Sequence, residues 1–299
     1  MTRRYAGRRR IVARRLVALG VLATALVVAG AAAALALRAR EEAEPPPPPT
    51  TVAKPKPKPL RIIFPEGFTR RDMAERITAV NEIARNKRRV RPRLSARTYL
   101  AVTERHAFAR RFAGGGAPRS LEGFLYPATY EFTARTTSRQ LVARQLEAFR
   151  RAWGELDLSY ARSKNLTPYD VLIIASMVER ETVAPRERPL VAAVIYNRLR
   201  ARMPLGIDAT IRYGLDVPGT EPLRQSHLAD PTPYNTRLHS GLPPTPIANP
   251  GAASLRAAAR PAKVNYLYFV RRPDKVHHFF TASEREFFRK SCEYGYGCG

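Results

Sequence analysis

Thr167-Pro168-Tyr169-Asp170, followed by VLIIASMVERET from Val171 to Thr182, is the stretch on which the fold turns. It opens as a helix start, with Thr as N-cap, Pro at the first helical position and an acid at the third. The residues that follow are apolar nearly all round, and a helix of that kind is buried, with other elements packed about it. Two carboxylates, Glu179 and Glu181, sit near its end. Carboxylates are rarely buried without a reason, because desolvating the charge is costly. Turning about 100° per residue from Val171 puts Glu181 at about 280°, between Met177 and Ile174, and Glu179 at about 80°, near Ala175 and Leu172. Glu181 therefore lies in the more apolar sector, where burial raises a carboxyl pKa toward that of a general acid. Glu179 is the second candidate. The competing reading is a pair of structural glutamates satisfied by neighbouring arginines.

Downstream, Pro189 to Met203 reads as a second helix with Val191, Val194, Ile195 and Leu199 inward and Asn197 and Arg198 beside that stripe. Pro231 to Thr236 and Gly241 to Pro244 read as loops that present polar and aromatic groups. Asn249-Pro250 starts a short helix running to Ala259. Asn265 to Arg271 and Val276 to Thr281 form a hairpin around Pro273-Asp274. His277 and His278 are adjacent on its second strand, so they face opposite ways and cannot share a metal. No HExxH, GxSxG or phosphate-binding loop occurs, and neither a metal nor a cofactor is called for.

Upstream, Ser138 to Trp153 is an amphipathic helix with Val142, Leu146, Phe149 and Trp153 on one face. Before it stands EGFLYPATYEF, Glu122 to Phe132, rich in aromatics, and a glycine-rich loop, Gly114 to Pro118. Leu60 to Phe64 is a short strand, Pro65-Glu66-Gly67 a turn, and Thr69 caps a helix from Arg70 to Ala84. The basic run from Arg85 to Arg91 has no interleaved aromatics and reads as a solvated or envelope-facing surface.

The first sixty residues differ in kind. Leu16 to Leu37 is twenty-two residues without a charge, long enough at ~1.5 Å per residue to span a ~30 Å hydrocarbon core. Seven arginines precede it and Glu41, Glu42 and Glu44 follow, so the positive-inside rule puts the N-terminus in the cytoplasm and everything after Arg38 outside. A cleaved signal peptide is the rival, but its apolar region runs only about 7–15 residues. EPPPPPTTVAKPKPKP, Glu44 to Pro59, is a stiff polyproline spacer, with a docking site for a partner as the sharper alternative. The net charge of +27 points to an anionic partner, and the topology excludes nucleic acid. Cys292 and Cys298, both in the last eight residues, can form at most one terminal loop disulfide.

Taken together, EGFLYP, ASMVERET, VAAVIYNRLRARMPLGIDATIRYG, PTPYNTRLHSGLPPTPIANPGAASLRAAARPAKVNYLYFV and HHFFTAS resemble, in order, the YceG-like family of endolytic murein transglycosylases. Leu60 to Ala84 resembles that family's LysM-like unit, a small βα module associated with glycan binding. The resemblance implies an α+β chain: a basic cytoplasmic tail (1–15), a transmembrane helix (16–37), a Pro-rich linker (38–59), a LysM-like module (60–115), a catalytic domain with a buried glutamate-bearing helix (116–290) and a cysteine-containing tail (291–299). It implies cleavage of the bond between N-acetylmuramic acid and N-acetylglucosamine in peptidoglycan strands at the plasma membrane, beside peptidoglycan synthases. The family's catalytic glutamate aligns with Glu181, and Glu179 is the fallback. Asn197, Asp208, Thr210, Tyr234, Asn235, Thr236, His277, Glu122 and Tyr126 fall at matching positions and would contact substrate. The family loop LQ[ST]DPT stands here as Leu205-Gly206-Ile207-Asp208-Ala209-Thr210, which keeps Asp208 and Thr210 and departs at Gly206 and Ile207. Ordinary glycosidases use two carboxylates, ~5–5.5 Å or ~6.5–9.5 Å apart. A transglycosylase needs one, because a substrate hydroxyl is the nucleophile. The alternative from another class is a non-catalytic glycan-binding scaffold of the wall-synthesis machinery.

Overall fold

The computed structural model describes residues 5–41, 59–104, 108 and 120–296. It falls into two units, residues 1–56 and 57–299. Among its described residues the first contains one helix, α1 (Tyr5–Glu41), in which Gly20–Arg38 is long and apolar enough to cross a membrane by length and composition. The Pro-rich stretch and Cys298 lie outside the described residues.

The second unit mixes helix and sheet. Strand β1 (Leu60–Ile63) turns Ile62 into the core and Arg61 and Ile63 outward. Helix α2 (Arg70–Arg88) starts with a reciprocal capping box, Thr69 accepting from the Asp72 N–H and Asp72 from that of Thr69. It runs one turn beyond the expected Ala84, into the basic run, where Arg85, Lys87 and Arg88 suit the negative end of the helix dipole. Arg89, at φ 55°, ends it. Two elements went unread in the sequence: α3 (Ala96–Glu104) and β2 (Thr129–Phe132). β2 pairs antiparallel with β1, Leu60 opposite Phe132 and Ile63 opposite Thr129. The segments on either side of the 115/116 boundary thus share one sheet and one core. Packed on α3, α4 (Ser138–Gly154) contributes Leu141, Leu146 and Phe149 to the core, while Gln145 accepts from the Tyr99 hydroxyl at 2.8 Å.

A short turn, α5 (Ser159–Arg162), leads to α6 (Pro168–Glu181), the axis of the unit. Its capping box is as the sequence reads: Thr167 with Asp170, and Pro168 at the start. All eight residues from Val171 to Val178 are buried. A 3-10 turn (Pro185–Glu187) and α7 (Arg188–Arg200) follow, then α8 (Asp208–Leu215), α9 (Gln225–Leu228) and α10 (Ala252–Ala259), with α7, α8 and α10 packed on α6. Two sequence expectations are corrected here. Asp208 does not lie in a loop; it is the first residue of α8. Asn249 does not start the helix, whose N-cap is Gly251. Instead Asn249 is fully buried and knits three segments together, bonding Leu125 N–H, Phe68 C=O and the Glu122 carboxylate. The expected hairpin forms as β3 (Tyr268–Arg271) and β4 (His278–Thr281), antiparallel, with α11 (Glu284–Glu293) packed against it. Cys292 on α11 is in a disulfide.

Candidate active site

Glu179 and Glu181 emerge from the last turn of α6 into different company. Glu179 is almost wholly buried, with a side-chain exposure of 5%. Its Oε2 accepts the Gly251 N–H at 2.9 Å and its Oε1 lies 3.5 Å from the Arg188 guanidinium. The exposed Glu66 carboxyl stands beside it, raised above the ordinary carboxylate range by partial burial and by the Glu179 charge. Each carboxylate oxygen of Glu179 thus has a protein partner, one of them an arginine, as the structural reading of the pair suggested.

Glu181 faces α8 and β3. Burial pushes its carboxyl up to about 6, and Asp208 pushes the same way. The Arg271 charge, the N–H of Ala209 in the first turn of α8, and Arg180 pull it down. A carboxyl near that value exchanges a proton easily in either direction close to neutrality. Its local frame is firm. Thr182 donates its hydroxyl back to the Val178 carbonyl at 2.7 Å, Arg180 reaches the Gly67 carbonyl at 3.2 Å, and Arg271 reaches the carbonyl of Glu181 itself at 3.2 Å.

The start of α8 is held by polar groups that the sequence offered as substrate contacts. Thr236 Oγ1 accepts from the Ile207 N–H at 3.0 Å, and Thr210 donates its hydroxyl to the Ile207 carbonyl at 2.7 Å. The two hydroxyls lie 3.0 Å apart, both buried. Gly206 takes φ +63°, a left-handed conformation that favours glycine. Arg198 binds the carbonyls of Pro204 and Leu205 and holds the approach to this turn. Asp208, at the surface, pairs with Arg237, whose Nε is 2.8 Å and whose terminal nitrogen is 2.7 Å from Oδ1.

Several predicted contacts are thus spent inside the protein. Asn235 is fully buried, its amide donating to the Leu228 and Asp230 carbonyls. Asn197 donates to those of Val264 and Tyr266. Glu122, 3% exposed, accepts from the Arg70 N–H, the Asn249 amide and the Tyr213 hydroxyl. Each turns inward because a neighbouring backbone group needs a partner that water cannot supply. Tyr126 is half-buried near Glu66, and Tyr234 is half-buried with its hydroxyl 2.8 Å from that of Thr245. His277 is exposed in the hairpin turn, 3.0 Å from Asp274, and precedes β4. His278 is the buried member of the pair. Its Nδ1 lies 2.7 Å from Glu187, which also accepts its backbone N–H. Sequence reasoning missed Arg271, Arg237 and Glu187; none lies in a local pattern that marks it. Among the described residues no cluster of His, Cys, Asp and Glu could hold a metal.

This geometry defines a mixed helix–sheet domain with one titratable carboxyl at the end of a buried helix, framed by a second helix start and a hairpin. Residues 48–292 match the YceG-like family, and the chain belongs to it. Over 150 residues it is 36% identical to the endolytic murein transglycosylase of Bacillus subtilis, covering 50% of this chain and 41% of that protein. Over 161 residues it is 37% identical to the endolytic murein transglycosylase of Streptococcus pneumoniae R6, covering 52% of this chain and 29% of that one. The chain therefore spans less than half the length of these relatives. The crystal structure of a YceG-like protein from Listeria monocytogenes is similar with a TM-score of 0.64 and 27% identity, over 78% of this chain and 76% of that one.

Proposed function

We propose that this chain is an endolytic peptidoglycan transglycosylase in which Glu181 is the single acid–base group. The observation that carries the reading is the contrast between the two glutamates. Glu179 is locked to Gly251 and Arg188, while Glu181 is poised at about 6 beside a helix N-terminus. Family membership and the names of the relatives support the same reaction.

In the first half of the reaction protonated Glu181 gives its proton to the glycosidic oxygen as the C1–O bond breaks. In the second, the resulting carboxylate takes the proton of the muramic C6 hydroxyl as that oxygen bonds to C1. The proton moves from one substrate oxygen to another, no water is consumed, and the new end is a 1,6-anhydro sugar. A hydroxyl already held near C1 has an effective concentration that reaches ~10⁵ M in well-oriented cases, so ring closure outruns hydrolysis. Asp208, Tyr234, Tyr126 and His277, the predicted residues that keep exposed or half-buried side chains, are assigned to substrate contact. Glu122, Asn197, Thr210, Asn235 and Thr236 are assigned to support.

The strand–helix–helix–strand unit of β1, α2, α3 and β2 is assigned as the LysM-like, glycan-facing part, which extends the module past residue 115 to include β2. The apolar helix α1 is assigned as a single-pass anchor with its arginine-rich end in the cytoplasm and the domain outside, where peptidoglycan synthases work. Protease added to intact spheroplasts degrades the domain under this topology, and full protection sinks it. The decisive experiment on the reaction is digestion of uncrosslinked glycan strands followed by mass spectrometry. Internal cutting with 1,6-anhydro ends, lighter than hydrolytic ends by one water, is expected. Reducing ends make the protein a hydrolase, and intact strands make it a binding scaffold.

A further inference from the structure

The β3–β4 hairpin is fixed to the chain just beyond α6 by the buried His278–Glu187 contact at 2.7 Å. Arg271, the last residue of β3, stands opposite His278 in the register. The anchor therefore sets Arg271 against the end of α6, where it donates to the Glu181 carbonyl at 3.2 Å. The last carbonyls of a helix lack partners and carry partial negative charge, so a guanidinium there is favoured twice over.

We propose that Arg271 is the positioning residue for Glu181, clamping the last turn of α6 and supplying the positive charge against which the carboxyl ionises. The inference rests on the acid–base reading of Glu181. Between the two halves of that reaction Glu181 is a half-buried carboxylate, a state that is costly without a compensating charge.

Among the described residues, the charged side chains that act on Glu181 are Arg271, Asp208 and Arg180. Arg180, on α6 itself, has its guanidinium on the Gly67 carbonyl. Asp208, from α8, opposes ionisation and is itself covered by Arg237. Helices α7 and α10 also pack on α6, but Arg188 and Arg256 act at Glu179 and Glu66. Of the neighbouring charges, that of Arg271 has the largest influence on the Glu181 carboxyl. Its planar fork lets one group bond a carbonyl and present charge to a carboxyl at once, which a lysine cannot reproduce in full.

The test compares Arg271→Gln and Arg271→Lys with the unaltered full-length protein. Cleavage of uncrosslinked glycan strands is followed against pH, and Glu181 is titrated by carbon NMR of labelled glutamate, assigned by difference from Glu181→Gln. Arg271→Gln is expected to raise both the alkaline limb of cleavage and the Glu181 midpoint by about one pH unit, because an attractive charge is lost. It lowers kcat severalfold while KM changes little. Arg271→Lys returns the limb to its original pH but restores kcat only in part. An unmoved midpoint in a folded Arg271→Gln protein overturns the proposal. If that variant does not fold, Arg271→Lys decides: full kcat with an unmoved limb overturns the clamping role, and reduced kcat with an unmoved limb supports it. Continued cleavage by Glu181→Gln instead overturns the underlying reading, while the NMR midpoint still reports the coupling of Arg271 to Glu181.

Discussion

Gly123 and Pro246 approach so closely that a β-carbon on Gly123 would lie 2.6 Å from the proline ring and 3.2 Å from Leu172 on α6. Gly123 also has φ +87°, where other residues are strained. This contact joins the aromatic turn after Ser120 to the loop that feeds α10, and neither partner is a flexible side chain that can swing aside. Gly123→Ala is expected to destabilise the domain by about 2–4 kcal/mol, from backbone strain plus overpacking. Urea unfolding measures it; a cost below about 0.5 kcal/mol means that the loop yields freely.

Replacing each glutamate of α6 by glutamine separates structure from chemistry. Glu181→Gln is expected to keep the fold and lose cleavage, since an amide cannot shuttle the proton. Glu179→Gln is expected to retain cleavage but to lose about 1–3 kcal/mol of stability as the charge facing Arg188 disappears. Cleavage by the unaltered protein should fall as pH rises through about 6, where Glu181 loses the proton it donates. Reversed effects of the two variants would move the acid to Glu179.

Burial holds Glu122 at about 7 despite hydrogen bonds from Arg70, Tyr213 and Asn249 that favour its charged form. Its folded value lies above the ordinary carboxylate value, so the folded state binds the extra proton between them. The stability this contributes is fully present below about pH 4.5 and is lost as pH rises through about 7. The loss amounts to about 3 kcal/mol at most. Denaturant midpoints taken from pH 4.5 to 8 should therefore decline over that window, and Glu122→Gln should flatten the decline. An unchanged slope in the variant would assign the pH dependence to other groups.

The two adjacent histidines should behave oppositely. His278, 1% exposed in its side chain, shares a buried contact with Glu187. Burial lowers the His278 pKa, so the neutral ring is a hydrogen-bond donor to Glu187, and His278→Ala, which removes that donor, should cost about 1.5–3 kcal/mol. His277 is 55% exposed, and its ring lies against Asp274 in the hairpin turn. His277→Ala should cost less than about 1 kcal/mol, and any effect on cleavage should appear in KM. Thermal unfolding of the pair distinguishes them, and equal losses would mean that the hairpin turn is as buried as its strand.

What the sequence made legible was local. The Thr167–Asp170 capping box, the apolar run behind it and the β3–β4 hairpin each specify themselves within a few residues. β2 was not legible, because Thr129–Phe132 becomes a strand by pairing with a partner about seventy positions away. The start of α8 was hidden for a similar reason. Ile207 provides no side-chain cap, and the turn is held by Thr236, 29 residues further on. The site divides the same way. Glu181 stands out as a candidate on its own helix, whereas Asp208, Ala209 and Arg271 are brought beside it only by the fold. Thr210, Asn235 and Thr236 are polar residues that in the sequence could equally face substrate or backbone; all three are buried and bonded within the protein.

The distance along the chain between β1 and β2 has a consequence for how the protein is made. As synthesis proceeds from the N-terminus, β1 is complete while its partner is still unsynthesised, since Arg61 pairs with Glu131. For the time needed to add those residues, Ile62 and Phe64 have no sheet to cover them and both edges of β1 are open to pairing with other chains. A nascent chain halted before Thr129 should be sticky, and one halted after Phe132 markedly less so. The N-terminal half is then a unit that closes late: its first strand waits for its last, and everything between them is provisional until the two meet.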